Sequence, residues 1–233
     1  MNKFKVSICA AVVVCSIFSS RATTVTTNFT TGFPSGGNIP DGSQIGISDT
    51  RTLDFSSTPN FFTITNLQVT LNISGTSPSS GFNGDLFGYL QHSSGYTVLL
   101  NRPGRTAVNP AGSPGQGLNV TFQDTGSTFG DIHGASGTAT NALSGSWAPD
   151  GRTTFPTVAL DTDPRSAFLS SFNGLNPNGA WTLFLSDVDF GEQSTLVSWG
   201  LIISAVPEPS VMALMVVGGL LGGAGMIRRR LQR

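Results

Sequence analysis

The chain has 233 residues, 38% of them hydrophobic and only 11% charged, with 29 glycines, two cysteines and a formal net charge of −1. That near-neutral figure hides a division: between Thr23 and Pro209 five arginines and no lysine stand against thirteen carboxylates, a balance of −8. An acidic stretch without a basic patch argues against nucleic acid as a partner, because phosphate binding rests on clustered Lys and Arg.

Lys3 and Lys5 precede an apolar stretch from Val6 to Phe18, and Ser20 and Ala22 follow in an S-x-A arrangement. This is the layout of a secretory signal peptide over residues 1–22. The apolar stretch holds 13 residues, short of the roughly 20 a membrane span needs. Both cysteines, Cys9 and Cys15, fall inside it, so the exported part builds no disulfide, and export alone does not demand one.

Residues 23–46 are polar and weakly patterned, either a stalk or a lead-in strand. Beyond them the pattern is β. In "LQVTLNIS" Leu67, Val69, Leu71 and Ile73 alternate with Gln68, Thr70, Asn72 and Ser74, the mark of a half-buried strand. "LFGYLQ", "YTVLL", "LNVTFQD", "AWTLFLSD" and "TLVSWGLIIS" are rich in β-branched and aromatic residues and read as further strands. Turn clusters such as "SSG" at Ser93–Gly95 and "NPNG" at Asn176–Gly179 separate them. The stretches 103–117 and 125–154 read as long Gly/Ser-rich loops. Many short strands with turns between them predict an antiparallel sandwich or barrel. In the last two strands Trp181, Leu183 and Leu185 share one face, and Val197, Trp199, Leu201 and Ile203 another. Joined by "DVDFGEQS", they are expected to form a hairpin.

Two segments are more specific than composition: "NGDLFGYLQHSSGYTVLLNRPG" from Asn83 and "FNGLNPNGAWTLFLSDVDFGEQSTLVSWGLII" from Phe172. Gly84-Asp85-Leu86, Ser94-Gly95, Asn178-Gly179-Ala180-Trp181-Thr182-Leu183, Asp187 and the run from Leu196 to Ile203 with Trp199 together resemble the P domain, or Homo B domain, of kexin- and furin-type proprotein convertases. "ISDTRTLDF" resembles that family's opening strand. The resemblance covers residues 47–204 and implies a jelly-roll β-sandwich of the galactose-binding-like type. In the family this domain follows a subtilisin-like catalytic domain; here a signal and about 24 polar residues precede it, so no protease activity carries over.

The chemistry-bearing residues are sparse. His92 reads as an exposed turn residue, and His133 stands in the Gly-rich "GDIHGASG". Neither has the strand–turn–helix setting of a catalytic serine or the spacing of a zinc site, and the expectation is a protein that is not an enzyme. Asp187, Asp189 and Glu192 in one loop offer hard oxygen ligands and are the candidates for calcium, the one cofactor the sequence suggests. Asp161 and Asp163 form a second D-x-D pair, and Asp85 reads as the brace of a turn.

At the C-terminal end Val206-Pro207-Glu208-Pro209 is followed by an apolar run, residues 211–227, and a basic tail, residues 228–233. As a helix the 17-residue run spans about 26 Å at 1.5 Å per residue, the short limit for a bilayer, and the arginines would stay cytoplasmic. The order closely resembles the PEP-CTERM sorting signal, with Pro207, Glu208 and Pro209 as the motif and Arg228, Arg229 and Arg230 as the basic stop. The resemblance implies recognition by an exosortase in a Gram-negative bacterium that makes extracellular polysaccharide. The chain would pass through an inner-membrane-anchored intermediate to the envelope, surface or extracellular matrix. The expected function is a non-catalytic binding or structural module whose partner is a polysaccharide, a surface protease or a sister surface protein. The alternative is an accessory domain that stabilises a separately encoded subtilisin-like serine protease.

Overall fold

The computed structural model describes residues 21–75, 81–135 and 142–207. In chain order the strands are β1 (Thr23–Phe29), β2 (Ser43–Leu53), β3 (Thr63–Gly75), β4 (Leu86–His92), β5 (Gly95–Asn101), β6 (Leu118–Phe122), β7 (Leu143–Trp147), β8 (Gly179–Asp187) and β9 (Ser194–Val206). They form two sheets, ordered β1-β9-β3-β6-β7 and β2-β8-β4-β5, so the described residues form an all-β fold, as the alternation predicts. Every neighbouring pair is antiparallel except β6 with β7. The pairing is nested: β1 meets β9, β2 meets β8, β3 meets β6, and β4 meets β5.

The core lies between the sheets. On β3 Leu67, Val69, Leu71 and Ile73 are all buried, and Trp181, Leu183 and Leu185 of β8 join Trp199, Leu201 and Ile203 of β9 in the same cluster. Each fully buried Leu or Ile contributes about 1.5–3 kcal/mol relative to exposure. Edge strand β5 is not left open. Val98 N–H donates to Ala167 O, while Leu99 O and Val98 O accept from Asp150 and Gly151 N–H, so the segment after β7 covers an edge that would otherwise invite another chain.

Four sequence expectations change. The expected β8–β9 hairpin does not exist: β8 lies between β2 and β4, β9 between β1 and β3, and Val188–Gln193 crosses from one sheet to the other. Of the two readings of 23–46, stalk or lead-in strand, the structure has the strand: the stretch supplies β1 and the start of β2, and what changes is the start of the fold, which lies well before residue 47. The loop-like stretch 125–154 contains β7 and the buried Ile132, His133 and Asp150. In β9 a register shift opposite Asn72/Ile73 changes the phase of the strand, so Leu196 is 2% exposed and Val197 40%. An extra residue in one strand of a pair turns the next side chain to the other face.

The sandwich closes on itself within residues 23–206, with its first and last strands paired from Thr23↔Ala205 to Phe29↔Trp199. That segment holds both sheets and the whole core cluster and is the folding unit. Among the described residues no helix is long and apolar enough to cross a membrane. The signal peptide up to residue 20, the motif residues Glu208 and Pro209, the span 211–227 and Arg228–Arg230 lie outside the described residues.

Candidate functional site

Two of the three predicted calcium ligands sit at one corner of the sandwich. Asp187 is the last residue of β8, opposite Leu86 of β4 and Ser43 of β2. It faces inward and is 0% exposed, and neither carboxylate oxygen has a hydrogen-bond partner. The Asp189 N–H lies close by without closing a bond to it. Burial first, then the neighbouring Asp85 and Asp41 charges, push the Asp187 carboxyl up to about 8. Asp85 ends a 3-10 turn, Asn83–Asp85, and is also buried. Burial raises it to about 6 against the opposing pull of Arg102.

Arg102 organises this corner. Its Nε donates to Gly84 O at 2.8 Å, and its Nη2 lies 3.3 Å from Asp85 Oδ1 and 3.0 Å from Asp189 Oδ2. Asp189 is therefore tied to an arginine, its other oxygen accepting from Phe190 N–H at 3.0 Å. Asp41 Oδ1 accepts from Gly191 N–H at 3.1 Å. Glu192 forms no hydrogen bond or ion pair with the others, and among the described residues no three acidic or metal-ligating side chains are placed to hold a metal ion. Asp85 braces a turn, as its sequence setting suggests, and also belongs to the acidic corner. Asp41 and Arg102 give no sign in the sequence, being 146 and 85 positions from Asp187 by their numbers. The second pair, Asp161 and Asp163, does not join this corner: Asp163 Oδ2 accepts from Leu160 N–H within its own turn.

His92 is not an exposed turn residue. The tight hairpin Ser93–Ser94 places it at the inward end of β4 opposite Trp181, where it is 3% exposed and stacked on that ring at 4.0 Å and 3°. Its ring nitrogens lie 2.9 Å from Ala180 O and 2.7 Å from Asn176 O. His133 is likewise enclosed, with Nδ1 2.7 Å from Asp150 Oδ2 and Nε2 2.7 Å from Arg105 O. Burial lowers its pKa, but the Asp150 hydrogen bond and charge and the Arg105 carbonyl outweigh that and raise it. Both nitrogens of each imidazole are occupied, which leaves neither ring a nitrogen to activate a serine. Arg152 extends the His133 network to Asp131 at 2.8 Å and to Asp161 O at 2.8 Å. Arg165 adds bonds to Asp150 O and Pro149 O. The network locks the loops that cover β5.

The outer face of the four-stranded sheet carries a different feature. Phe87 and Tyr89 of β4, Tyr96 of β5 and Phe184 of β8 point away from the core and wall a cavity of about 290 Å³, roofed by Thr153–Pro156 and bordered by Gln44 and Ser186. Tyr89 stacks on Phe184 at 4.8 Å and 18°, and lies 5.3 Å from Tyr96. Phe87 meets Phe184 edge-on at 6.2 Å. No acid, lysine or arginine lines it. Neither tyrosine hydroxyl makes a hydrogen bond to a described residue, and burial, then Tyr89, raise the Tyr96 pKa. The groove is not legible from alternation, which marks the core face of a strand and says nothing of the outer one. The available signal was Phe87-x-Tyr89 on the face opposite Leu86 and Leu90, where polar residues are expected.

No family model matches the chain, and no curated protein matches it. Among solved structures it is similar to the serine protease of Aeromonas sobria in complex with the chaperone ORF2, at 13% identity and a TM-score of 0.43, over 81% of this chain and 28% of that one. The serine protease of Aeromonas sobria gives 13% identity and a TM-score of 0.40 over 79% and 27%. The chain thus spans less than a third of the length of the proteins it matches. A likeness of this size says nothing of function.

Proposed function

We propose that the chain is an exported, non-catalytic jelly-roll module that holds sugar rings of a cell-surface polysaccharide in the groove over β4, β5 and β8. The nested pairing of β1 with β9, β2 with β8, β3 with β6 and β4 with β5 supports the jelly-roll reading and with it the P-domain resemblance. The observation that carries the binding reading is the groove itself: stacked aromatic walls, uncharged amide and hydroxyl groups at the rim, and two tyrosine hydroxyls with no hydrogen-bond partner among the described residues. Ligand sites combine mostly apolar lining with a few orienting polar groups. Flat aromatic faces and edges match the C–H faces of sugar rings, and free hydroxyls match their O–H groups. The Pro207-Glu208-Pro209 motif supports delivery to the surface by an exosortase, through a membrane-anchored intermediate.

The test is affinity electrophoresis of residues 23–206 through gels containing dextran, hydroxyethyl cellulose, alginate or the cell's own surface polysaccharide. Retardation by a neutral polysaccharide, lost in Tyr89→Ala, is expected. Equal mobility in every gel would sink the reading. Delivery is tested separately by the intact mass of the protein from the surface fraction, which reports removal of residues 1–22 and processing near Pro207.

A second reading follows from the convertase-like motif, whose Trp181 and Trp199 are both buried in the core: an accessory domain acting in trans on a subtilisin-like protease. Co-purification of such a protease with residues 23–206 from surface extract, unaffected by Tyr89→Ala, would favour it over the sugar-binding reading.

A further inference from the structure

We infer that the groove over β4, β5 and β8 is a preformed slot for an unbranched, uncharged polysaccharide, with Asn101 and Arg105 as the positioning residues that hold its roof. The inference rests on the sugar-binding reading above and adds which polymers enter and what keeps the others out.

The charge of the ligand follows from where the cations are. No acid, lysine or arginine lines the groove, and the five arginines between Thr23 and Pro209 are all engaged within the fold. Arg51 and Arg102 pair with aspartates, and Arg152 pairs with Asp131 and Asp150. Arg105 donates to Pro110 O, Thr157 O and Ala159 O, and Arg165 to Asp150 O and Pro149 O. A uronate, sulfate or phosphate group entering the groove would lose water and meet no cation. The thirteen carboxylates that stand against those five arginines also repel a polyanion before contact. Sugar rings without ionised groups carry neither cost.

The shape of the ligand follows from the roof. The cavity, about 290 Å³, is at the small end of ligand sites. Its floor is the outer face of the sheet, where Tyr89 stacks on Phe184, and its roof, Thr153–Pro156, is stitched down before and after its tip. Asn101 is the cross-strand partner of Phe87, so its side chain stands on the same outer face, where it is 0% exposed. Its Nδ2 donates to Arg152 O at 3.1 Å and to Thr154 O at 2.9 Å. On the other side Arg105 Nη2 donates to Thr157 O at 2.8 Å and Nη1 to Ala159 O, while Val158 and Ala159 N–H close the turn on Phe155 O. A roof already held in place needs no ordering when a ligand enters. The same rigidity sets a fixed ceiling: a plain chain of rings slides beneath it, whereas a branch on the bound ring has to break the Asn101 or Arg105 bonds to fit.

The experiment is affinity electrophoresis of residues 23–206, with the dissociation constant read from retardation against polymer concentration. The polymers are matched uncharged pairs: mixed-linkage β-glucan with branched xyloglucan, glucomannan with branched galactomannan, and pullulan with branched glycogen. Alginate is the linear polyanion. The linear member of at least one pair should bind about tenfold or more tightly than its branched partner, and alginate should not retard the protein. Asn101→Ala and Arg105→Gln should each bring the linear-to-branched ratio of that pair close to one, a change that lost stability alone does not produce. Near-UV circular dichroism identifies a variant that failed to fold; Arg105 is only half-buried, so Arg105→Gln decides if Asn101→Ala does not fold. Branched polymers bound as tightly as linear ones, or a ratio unchanged in the folded variants, would overturn the slot and leave the sugar-binding reading standing. Alginate bound in preference to the uncharged chains would overturn the argument from charge. No retardation in any gel removes the sugar-binding reading and the slot together.

Discussion

The indole N–H of Trp199, on β9, donates to Asp49 Oδ2, on β2, at 2.6 Å, joining the two sheets through the middle of the core. The same oxygen accepts from Arg51 Nε at 2.7 Å. Arg51 in turn lies over the rings of Phe29 and Phe33 at 5.1 and 5.4 Å, and Phe29 meets Trp199 at 4.7 Å. A buried carboxylate is thus held by an indole on one side and a guanidinium on the other. Trp199→Phe removes the donor and some volume, and the expected loss is about 2–4 kcal/mol. Asp49→Ala leaves the indole N–H unpaired, at about 1–3 kcal/mol. Urea unfolding of both and of the double variant should give a coupling above about 0.5 kcal/mol; strict additivity would show that the bond contributes nothing.

The register shift in β9 makes a paired prediction. Leu196→Ala should cost about 2–4 kcal/mol, because it opens a cavity at a 2% exposed site. Val197→Ser, one residue on at 40% exposure, should change stability by less than about 1 kcal/mol. Denaturant midpoints decide, and the reverse order would place the core face as simple alternation does.

Those two residues show where the sequence is readable. Alternation in β3 named its core face correctly, since a strand buried on one side must alternate. It could not show that β8 and β9 belong to different sheets, because side-chain period reports the face and not the partner. Nor could it see the extra residue in β9, which appears only against Asn72 and Ile73. The acidic corner was half legible: Asp187 and Asp189 share a loop, but Asp41, Asp85 and Arg102 reach it only through folding. His92 read as exposed because turns are usually polar surface, whereas its ring has Trp181 to lie on.

At Gly46 the backbone takes φ +57°, inside the register shift of β2 between Ser43 and Ile47. A Cβ there would fall 2.1 Å from Leu185 O. Gly46→Ala combines left-handed strain with a backbone clash, and a loss of more than about 2 kcal/mol is expected from melting curves. A neutral result would mean that the irregularity in β2 relaxes freely.

His133 carries a pH dependence. Its folded pKa is raised above the usual 6.5, so the folded state binds the proton more tightly than the unfolded state. The resulting stability is complete below pH 6.5 and is lost as pH rises through the folded value. His133→Gln should lower stability overall and flatten this part of the fall. The difference in unfolding free energy between wild type and variant, followed upward from pH 6, isolates it from other groups. A constant difference would show that His133 does not titrate with folding.

In the groove, Tyr89→Ala and Phe184→Ala should each weaken polysaccharide binding about tenfold, the equivalent of roughly 1.4 kcal/mol, within the range of aromatic contacts. Gln91→Ala, on the same outer face of β4 but away from the cavity lining, should leave binding unchanged. Equal losses in all three would point to a general surface effect.

Because β1 and β9 run antiparallel with Thr23 beside Ala205, the sandwich has a mechanical polarity. A load applied beyond Val206 falls on β9, which is clamped by ladders on both flanks. A load applied ahead of Thr23 falls on the edge strand β1, which is held by one ladder only. A module tethered through its C-terminal side therefore resists pulling far better than one tethered through its N-terminal side, and the acidic corner, at the far end of β8, becomes the tip that hangs away from the tether.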